Sequence, residues 1–255
     1  MSTLTETTFR PASPVGRVFN VVRLHLANPW TAIILPWIIL GIIFVANLSI
    51  WAIIYDSVDA VDRADVSEGL QYSGAATYIF VYMMVVAITA MSITFPFALG
   101  YGVTRRDFYL GSAVTFILLS VMYTAGLTIL SIIEEATGGW GFGGRMFTAV
   151  YFGEDTLQRI FIFFVAFLFF FFFGAAIATV WVRWKATGVT AFFVVVTAIV
   201  IAGAAVLTFT ANWQLVGNFF VGAGLVGSFA WSLVITVISA VTGFFILRGA
   251  TPRAA

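Results

Sequence analysis

A short charged stretch lies between two long apolar runs of the sequence. Residues 100–111 read GYGVTRRDFYLG and carry Arg105, Arg106 and Asp107. No other charged residue occurs from residue 69 through residue 133. Charged side chains held in a polar loop beside apolar helices are available to a soluble partner, so this stretch is the predicted contact site for one.

Residue types that perform catalysis are scarce elsewhere. The chain has no cysteine and a single histidine, His25, which excludes disulfides, thiolate nucleophiles and cysteine or histidine-cluster metal sites. A phosphate-binding loop ends in Gly-Lys, whereas the only lysine, Lys185, follows Trp184. We therefore expect no catalytic residue, no metal site and no bound cofactor on this chain, which is not predicted to be an enzyme.

Two further clusters have plain interpretations. Acidic residues recur every three positions between residues 56 and 69, which favours a solvated acidic face over the alternating ligands of a calcium loop. The segment GGWGFGG, residues 138–144, contains no lysine and is predicted to be a flexible loop rather than a phosphate cradle. Trp140 and Phe142 in this loop are expected to enter the lipid headgroup layer.

The composition indicates an integral membrane protein. Of 255 residues, 62% are hydrophobic and 9% are charged, against about a quarter charged in soluble domains. A net charge of +1 is too small for nucleic-acid binding, which requires many neutralised phosphates.

The apolar runs predict an all-α protein with six transmembrane helices in a single domain, residues 1–255. A span needs ~20 apolar residues. Residues 186–247 carry no charge and are too long for one span, so the chain must double back within them. The run FLFFFFFG, residues 167–174, is expected to face lipid or another subunit. The predicted spans are residues 31–55, 74–99, 109–133, 160–182, 187–208 and 223–247, and Pro96 is expected to kink the second.

Residues 15–28 are predicted to form an amphipathic helix on the membrane surface. Phe19 belongs to an apolar stripe at helical spacing, Arg17 lies largely on the opposite side, and Arg23 can extend to the headgroups. The alternative interpretation is a frayed tail before the first span.

Residues 208–222 interrupt the last apolar tract with polar groups. Two interpretations are open: a short external loop, or a pair of re-entrant half-helices, which membranes tolerate only where the backbone is buried in protein or lines water. The polar and aromatic residues concerned are Asn212, Trp213, Gln214 and Asn218.

The distribution of basic residues predicts the orientation. With both termini, residues 100–111 and residues 183–185 on the cytoplasmic side, nine Lys and Arg residues lie inside and three outside. This matches the positive-inside rule. No charged residue falls inside a predicted span, which disfavours proton-driven carriers and pumps.

These features together resemble the permease subunits of ABC exporters of the second type. The similarity covers nearly the whole chain and includes the surface helix, the proline-bearing second span and a Gly-x-Thr/Ser-Arg-Arg-x-Phe loop. The matching loop residues are Gly102, Thr104, Arg105, Arg106, Asp107 and Phe108.

The resemblance implies a function and partners. In that family this loop forms a coupling helix that docks, with the surface helix, onto a separate ATPase subunit, and re-entrant helices between spans five and six form an external gate. Thr104 followed by Asp107 resembles a capping box, so a helix is predicted to begin at Arg105. Phe108 is expected to anchor this helix in the membrane surface or to fill a groove of the partner.

The expected protein is therefore a permease subunit in a bacterial plasma membrane, paired with an identical or paralogous second permease. ATP and magnesium are expected on the partner ATPase. The uncharged spans favour an amphipathic or hydrophobic cargo such as a drug, antibiotic, peptide or lipid, with a sugar polymer as a further candidate. The alternative is a stand-alone, channel-like or accessory six-span membrane protein.

Overall fold

The computed structural model describes residues 13–59 and 63–250, apart from the side chain of residue 64. Within these ranges the chain is helical and has no β-strand. The predicted positions of both chain termini, and Asp62 of the acidic face, lie outside the described residues. The α-helices are α1 Pro14–Leu26, α2 Leu35–Asp56, α3 Arg63–Gly69, α4 Tyr78–Ser92, α5 Thr94–Gly100, α6 Arg105–Ala136, α7 Thr156–Phe209 and α8 Trp213–Arg248.

Five helical segments of the described chain are long and apolar enough to cross a membrane. They are Trp30–Asp56, Asp65–Gly100, Arg105–Ala136, Thr156–Phe209 and Trp213–Arg248. The first three contain the first three predicted spans. The fourth contains two predicted spans, and the fifth contains the last.

The second of these segments, Asp65–Gly100, is interrupted close to Pro96, as the sequence predicts. α4 ends at Ser92, and α5 begins at Thr94. Pro96 cannot donate a backbone hydrogen bond to Ser92, and its ring crowds that carbonyl, so the regular helix is interrupted four residues before the proline.

The chain reverses direction at Lys185, within α7. Lys185 has φ 58° and ψ −150°, which no helix accommodates. A Cβ on Gly249 would lie 3.0 Å from Arg183 Nη1, so the end of α8 lies beside Arg183. Leu225, near the other end of α8, lines the same cavity as Arg159.

These two proximities, of Gly249 to Arg183 and of Leu225 to Arg159, require that α7 reverses at Lys185. A straight α7 would carry its last residue ~39 Å beyond Arg183, away from Leu225. Residues 210–224, even fully extended, would reach ~55 Å, which is less than the ~75 Å from Arg159 to the end of a straight α7. The part of α7 after Lys185 therefore runs back toward the end at which Arg159 and Leu225 lie.

α8 bends sharply at Gly224, which has φ 64° and ψ −176°. The rings of Phe219 and Trp231 lie 5.8 Å apart across this break, although twelve residues of straight helix would separate their backbones by ~18 Å. The segment from Trp213 to residue 223 therefore folds back toward the rest of α8. Residues 208–222 are thus helical apart from a tight turn at residues 210–212, and they do not form an extended loop.

Half of the phenylalanine run is buried inside the bundle, which corrects in part the expectation that it faces lipid or another subunit, while Phe169, Phe170 and Phe173 are partly exposed. Phe167 and Phe171 are fully buried, and Phe116 of α6 stacks on Phe171 with ring centroids 5.1 Å apart. Gly174 allows α7 to approach α4, because a Cβ there would lie 2.6 Å from the backbone oxygen of Met84. Aromatic rings fill the space that close backbone packing leaves between α4, α6 and α7.

Candidate functional site at the start of α6

The turn before α6 is built from two complementary helix caps. Gly102 has φ 78°, and the amides of Gly102 and Val103 donate to Leu99 O and Ala98 O at 3.0 and 3.2 Å. This is the Schellman pattern that ends a helix with glycine in the left-handed region. Thr104 then caps α6, its hydroxyl accepting from the Asp107 amide at 3.1 Å. The predicted helix start at Arg105 is confirmed.

Asp107 joins α6 to α1. Arg17 Nε donates to Asp107 Oδ2 at 2.8 Å, and the aspartate side chain is 9% exposed, against 46% for the arginine. Asp107 stands in the first turn of α6, where the amide dipoles favour a negative charge. The carboxylate therefore stabilises the helix start and holds α1 beside it.

α1 also contacts α6 through a glycine. A Cβ at Gly111 would lie 2.5 Å from Val21 Cβ and 2.8 Å from the Val18 backbone oxygen. Any larger residue at position 111 would push α1 away. The two helices are therefore in direct backbone-level contact one turn beyond the Arg17–Asp107 pair.

His25 adds a third connection between the same helices. Its Nε2 lies 2.8 Å from Ser112 Oγ, and the serine hydroxyl donates to Phe108 O at 2.9 Å. Because the single hydroxyl proton is used in that bond, His25 Nε2 is the donor to serine. Burial lowers the pKa of His25 from 6.5 to about 4, so the imidazole is neutral at neutral pH. The sequence analysis did not predict this contact of His25 with α6.

Phe108 is fully buried in the chain itself. Its ring lies 5.5 Å from that of His25 and 5.2 Å from that of Phe95. It is therefore unavailable either as a membrane anchor or as a plug for a partner's groove, contrary to both sequence expectations. Its role is to pack α1, α5 and α6 together.

The two arginines of the loop have different environments. Arg105 Nη1 donates to Arg248 O at 3.0 Å, which satisfies a terminal carbonyl of α8. Nearby, Tyr109 Oη donates to Ala240 O at 2.6 Å. Arg106 is exposed and forms no hydrogen bond or ion pair with any described residue, although its charge acts on Asp107. The start of α6 therefore holds α1 and α8 and leaves Arg106 available.

Two further residues of the predicted surface helix, Phe19 and Arg23, face outward. Phe19 is 54% exposed, and Arg23 is exposed in the last turn of α1. Val21 and Val22 are buried instead. The exposed apolar surface of α1 is therefore confined to part of the predicted stripe.

The residues predicted to form an external gate lie at the start of α8, away from the Arg105 loop. Asn212, Trp213, Gln214 and Asn218 are all exposed. Trp213 Nε1 donates to Thr208 Oγ1 at 3.1 Å, which closes the turn between α7 and α8. Ala211 in that turn has φ 53°.

A second polar centre, missed in the sequence, lies at the C-terminal end of α6. Glu134 is 1% exposed. Its carboxylate accepts from the amides of Met146, Phe147 and Thr148 at 2.8–3.2 Å, from the Thr148 hydroxyl at 2.6 Å and from Trp140 Nε1 at 2.8 Å. Consecutive amides aimed at one anion form a nest that offsets the cost of burying the charge.

The glycine-rich loop is organised around this carboxylate. Trp140 packs edge-on against Phe44 at 4.7 Å, and Phe142 lies 5.8 Å from Tyr55. Both half-buried rings therefore pack on α2, whereas the sequence suggested that they enter the lipid headgroup layer. Gly139 has φ 72°, and a Cβ there would lie 2.5 Å from the Gly144 oxygen, so glycine is required for the fold of the loop.

Among residues 13–59 and 63–250, no three His, Cys, Asp or Glu side chains are grouped closely enough to hold a metal ion.

No protein family, no curated protein and no solved structure matches the chain. The fold and these two polar centres are therefore the basis for a functional hypothesis.

Proposed function

We propose that this chain is the membrane-spanning permease subunit of an ATP-driven ABC exporter, powered by a separate ATPase subunit. The observation that carries the proposal is the joined start of α6. Arg17–Asp107, the Gly111 contact and Arg105–Arg248 fasten α1, α6 and α8 together at one end of the bundle. Of the two loop arginines, Arg106 is the exposed one that forms no hydrogen bond or ion pair with a described residue, so it is left for a partner. A docked ATPase could thus move three helices as one unit.

The backbone breaks support a six-span arrangement. The reversal at Lys185 divides α7 into two apolar segments that correspond to spans four and five. The tract that contains spans five and six is flanked by basic residues, Arg183 and Lys185 before it and Arg248 after it. By the positive-inside rule this favours a cytoplasmic location for residues 183–185 and the C-terminal end of α8. By the same rule the loop at Arg105 and Arg106 is cytoplasmic.

The bend at Gly224 supports a re-entrant gate. The segment from Trp213 to residue 223 is too short to cross a bilayer as a helix, since ~20 residues are needed. It follows the fifth span and folds back at Gly224, as the contact between Phe219 and Trp231 indicates. Under this proposal its exposed polar residues line the outer end of the transport route.

The proposed cargo is amphipathic or hydrophobic, because the spans carry no charged residue in their interiors. The working assembly is a pair of permease subunits, identical or paralogous, with two ATPase subunits. The proposed location is a bacterial plasma membrane with both termini in the cytoplasm.

Copurification tests the proposal. The chain is expressed from its own genomic neighbourhood and isolated in mild detergent, and copurifying proteins are identified by mass spectrometry. We expect an ATPase with a Gly-Lys phosphate loop in stoichiometric amount, and less of it bound to the Arg106→Ala variant. A pure chain that conducts ions alone in a planar bilayer, with no ATPase bound, would instead favour a stand-alone pore.

A further inference from the structure

A large polar cavity lies at the end of the bundle opposite the Arg105 loop. Its volume is about 1440 Å³, and it lies between the last turn of α6, the glycine-rich loop and the first turn of α7. Glu134, Glu135, Arg145, Glu154 and Arg159 are its charged lining residues. Apolar helices long enough to cross a membrane end here, so a bilayer around them would place the cavity at the boundary between hydrocarbon and water.

Three of these charges are already satisfied, wholly or in part. Glu134 is saturated by the nest of amides, since a carboxylate has about four lone-pair sites. Arg159, 2% exposed, pairs with Glu135 at 2.5 Å and donates to two backbone carbonyls, although its Nε has no partner within the described chain. These groups form the fixed wall of the cavity.

The remaining charges are one cation and one anion. Arg145 and Glu154 are both exposed, and neither side chain forms a hydrogen bond or ion pair with a residue that the structure describes. Glu135 is half exposed and can accept further donors beside its bond to Arg159. A ligand that complements this set carries an anionic group for the guanidinium and an N–H-bearing cation for the carboxylates.

An apolar groove of about 650 Å³ follows the same two helices toward the middle of the bundle. Val121, Ala125 and Ile129 line it from α6, and Leu157, Ile160 and Phe164 line it from α7. Thr128 of the groove and Glu135 of the cavity are seven residues apart on one face of α6, about 10 Å along its axis. Leu157 of the groove is adjacent in sequence to Gln158 of the cavity.

We propose that the cavity and groove together bind a phospholipid with a primary-amine zwitterionic headgroup, of the phosphatidylethanolamine type. The phosphate binds Arg145, the ammonium group binds Glu154 and Glu135, and an acyl chain occupies the groove. A trimethylammonium headgroup lacks N–H donors for the carboxylates, and an anionic glycerol headgroup lacks the cation. This site does not depend on export, because a resident lipid would fit a channel equally well.

Native mass spectrometry of the full-length chain tests the headgroup preference. The delipidated protein is offered equal amounts of phosphatidylethanolamine, its mono- and dimethyl forms, phosphatidylcholine and phosphatidylglycerol with identical chains. We expect binding to fall with each methyl group and to be about tenfold weaker for phosphatidylcholine, as loss of charge-assisted hydrogen bonds predicts. Equal binding across the series would overturn the proposal.

Variants then locate the site. Arg145→Ala and Glu154→Ala should each weaken phosphatidylethanolamine binding about tenfold, whereas Glu68→Ala, exposed on α3 and outside the cavity lining, should not. Ala125→Phe should fill the groove and reduce binding of all the lipids. Ala202 is exposed on α7 and does not line the groove, so Ala202→Phe should leave lipid binding unchanged. Unchanged selectivity in both charge variants would place the lipid elsewhere.

Discussion

Arg17 and Asp107, 90 residues apart in sequence, form a direct ion pair with a 2.8 Å separation between Nε and Oδ2. The pair connects the helix before the first apolar segment to the first turn of α6. Asp107 is thus used twice, as a charge at a helix N-terminus and as the acceptor for α1. The loop motif therefore has an internal structural role in addition to its proposed contact with a partner.

A double-mutant cycle measures this pair. Because Arg17 is 46% exposed, solvent screens the interaction, and we expect a coupling free energy of only about 0.5–1 kcal/mol between Arg17→Ala and Asp107→Ala. Asp107→Ala alone should destabilise more, since it also removes the anion from the helix start. Thermal unfolding of the four proteins in detergent gives the cycle, and strict additivity would show that the pair contributes nothing.

The two loop arginines should give different phenotypes. Arg106→Ala should reduce ATPase association by about tenfold, as expected for loss of a charge-assisted contact, without lowering the melting temperature. Arg105→Ala should lower the melting temperature by exposing the Arg248 carbonyl at the end of α8. Arg105→Ala is the matched control for Arg106→Ala, and identical association defects in the two variants would contradict the assignment of separate roles.

Docking of α1 should weaken in acid because of His25. Its pKa is about 4 in the folded chain against 6.5 when exposed, so the undocked state binds more protons between these values. The docked state of α1 is therefore most stable, relative to the undocked state, above pH 6.5. This relative stability decreases as the pH falls toward 4. In a Val21→Cys variant of this cysteine-free chain, we expect thiol labelling to increase over that interval relative to labelling of an exposed Phe19→Cys variant at the same pH, since the ratio cancels the loss of thiolate in acid.

His25→Gln in the same labelling variant provides the control. Glutamine can still donate to Ser112 but does not titrate. Its labelling relative to the exposed Phe19→Cys reference should be independent of pH between 7 and 4. A pH response that survives this substitution would assign the transition to a different group.

Glu134→Ala should disorganise the glycine-rich loop. Three backbone amides, a hydroxyl and an indole lose their shared acceptor, and buried unsatisfied donors cost about 1–3 kcal/mol each. We expect a large fall in thermal stability and rapid proteolysis within residues 138–153. Glu68→Ala, on the exposed face of α3, should behave as wild type, and equal protease resistance in both variants would refute the role of Glu134.

Gly224→Ala should strain the bend in α8. A φ of 64° with ψ −176° is accessible essentially only to glycine, so we expect a cost of about 1–3 kcal/mol. Gly222→Ala, two residues earlier in regular helix and with no atom near the added methyl group, should be neutral or slightly stabilising. Thermal unfolding compares the pair, and equal stability would show that the bend is not required.

Local signals in the sequence predicted local structure well. Thr104 with Asp107 placed the start of α6, and Pro96 marked the break between α4 and α5. Each depends on backbone groups within a few residues, so no knowledge of the fold was needed. The apolar runs likewise predicted the helices long enough to cross a membrane.

Burial was predicted less well, because it depends on which helices meet. Phe108 and Phe171 are buried by neighbours far away in sequence, and His25 faces a serine that periodicity alone could not identify. The sequence contains one signal for the amide nest around Glu134 that was overlooked. A carboxylate at the C-terminal end of a helix is unfavourable with the helix dipole, and the glycine-rich segment after it offers many free amides.

The reversal at Lys185 has a practical consequence for chemical labelling. Lys185 is the only lysine in the sequence, and its side chain is exposed at the point where α7 turns back. An amine-selective reagent that cannot cross a bilayer would therefore modify this one side chain, besides the terminal amine, from a single face of the membrane. Intact vesicles and inverted vesicles would give opposite labelling, so one natural residue reports the side on which the turn lies.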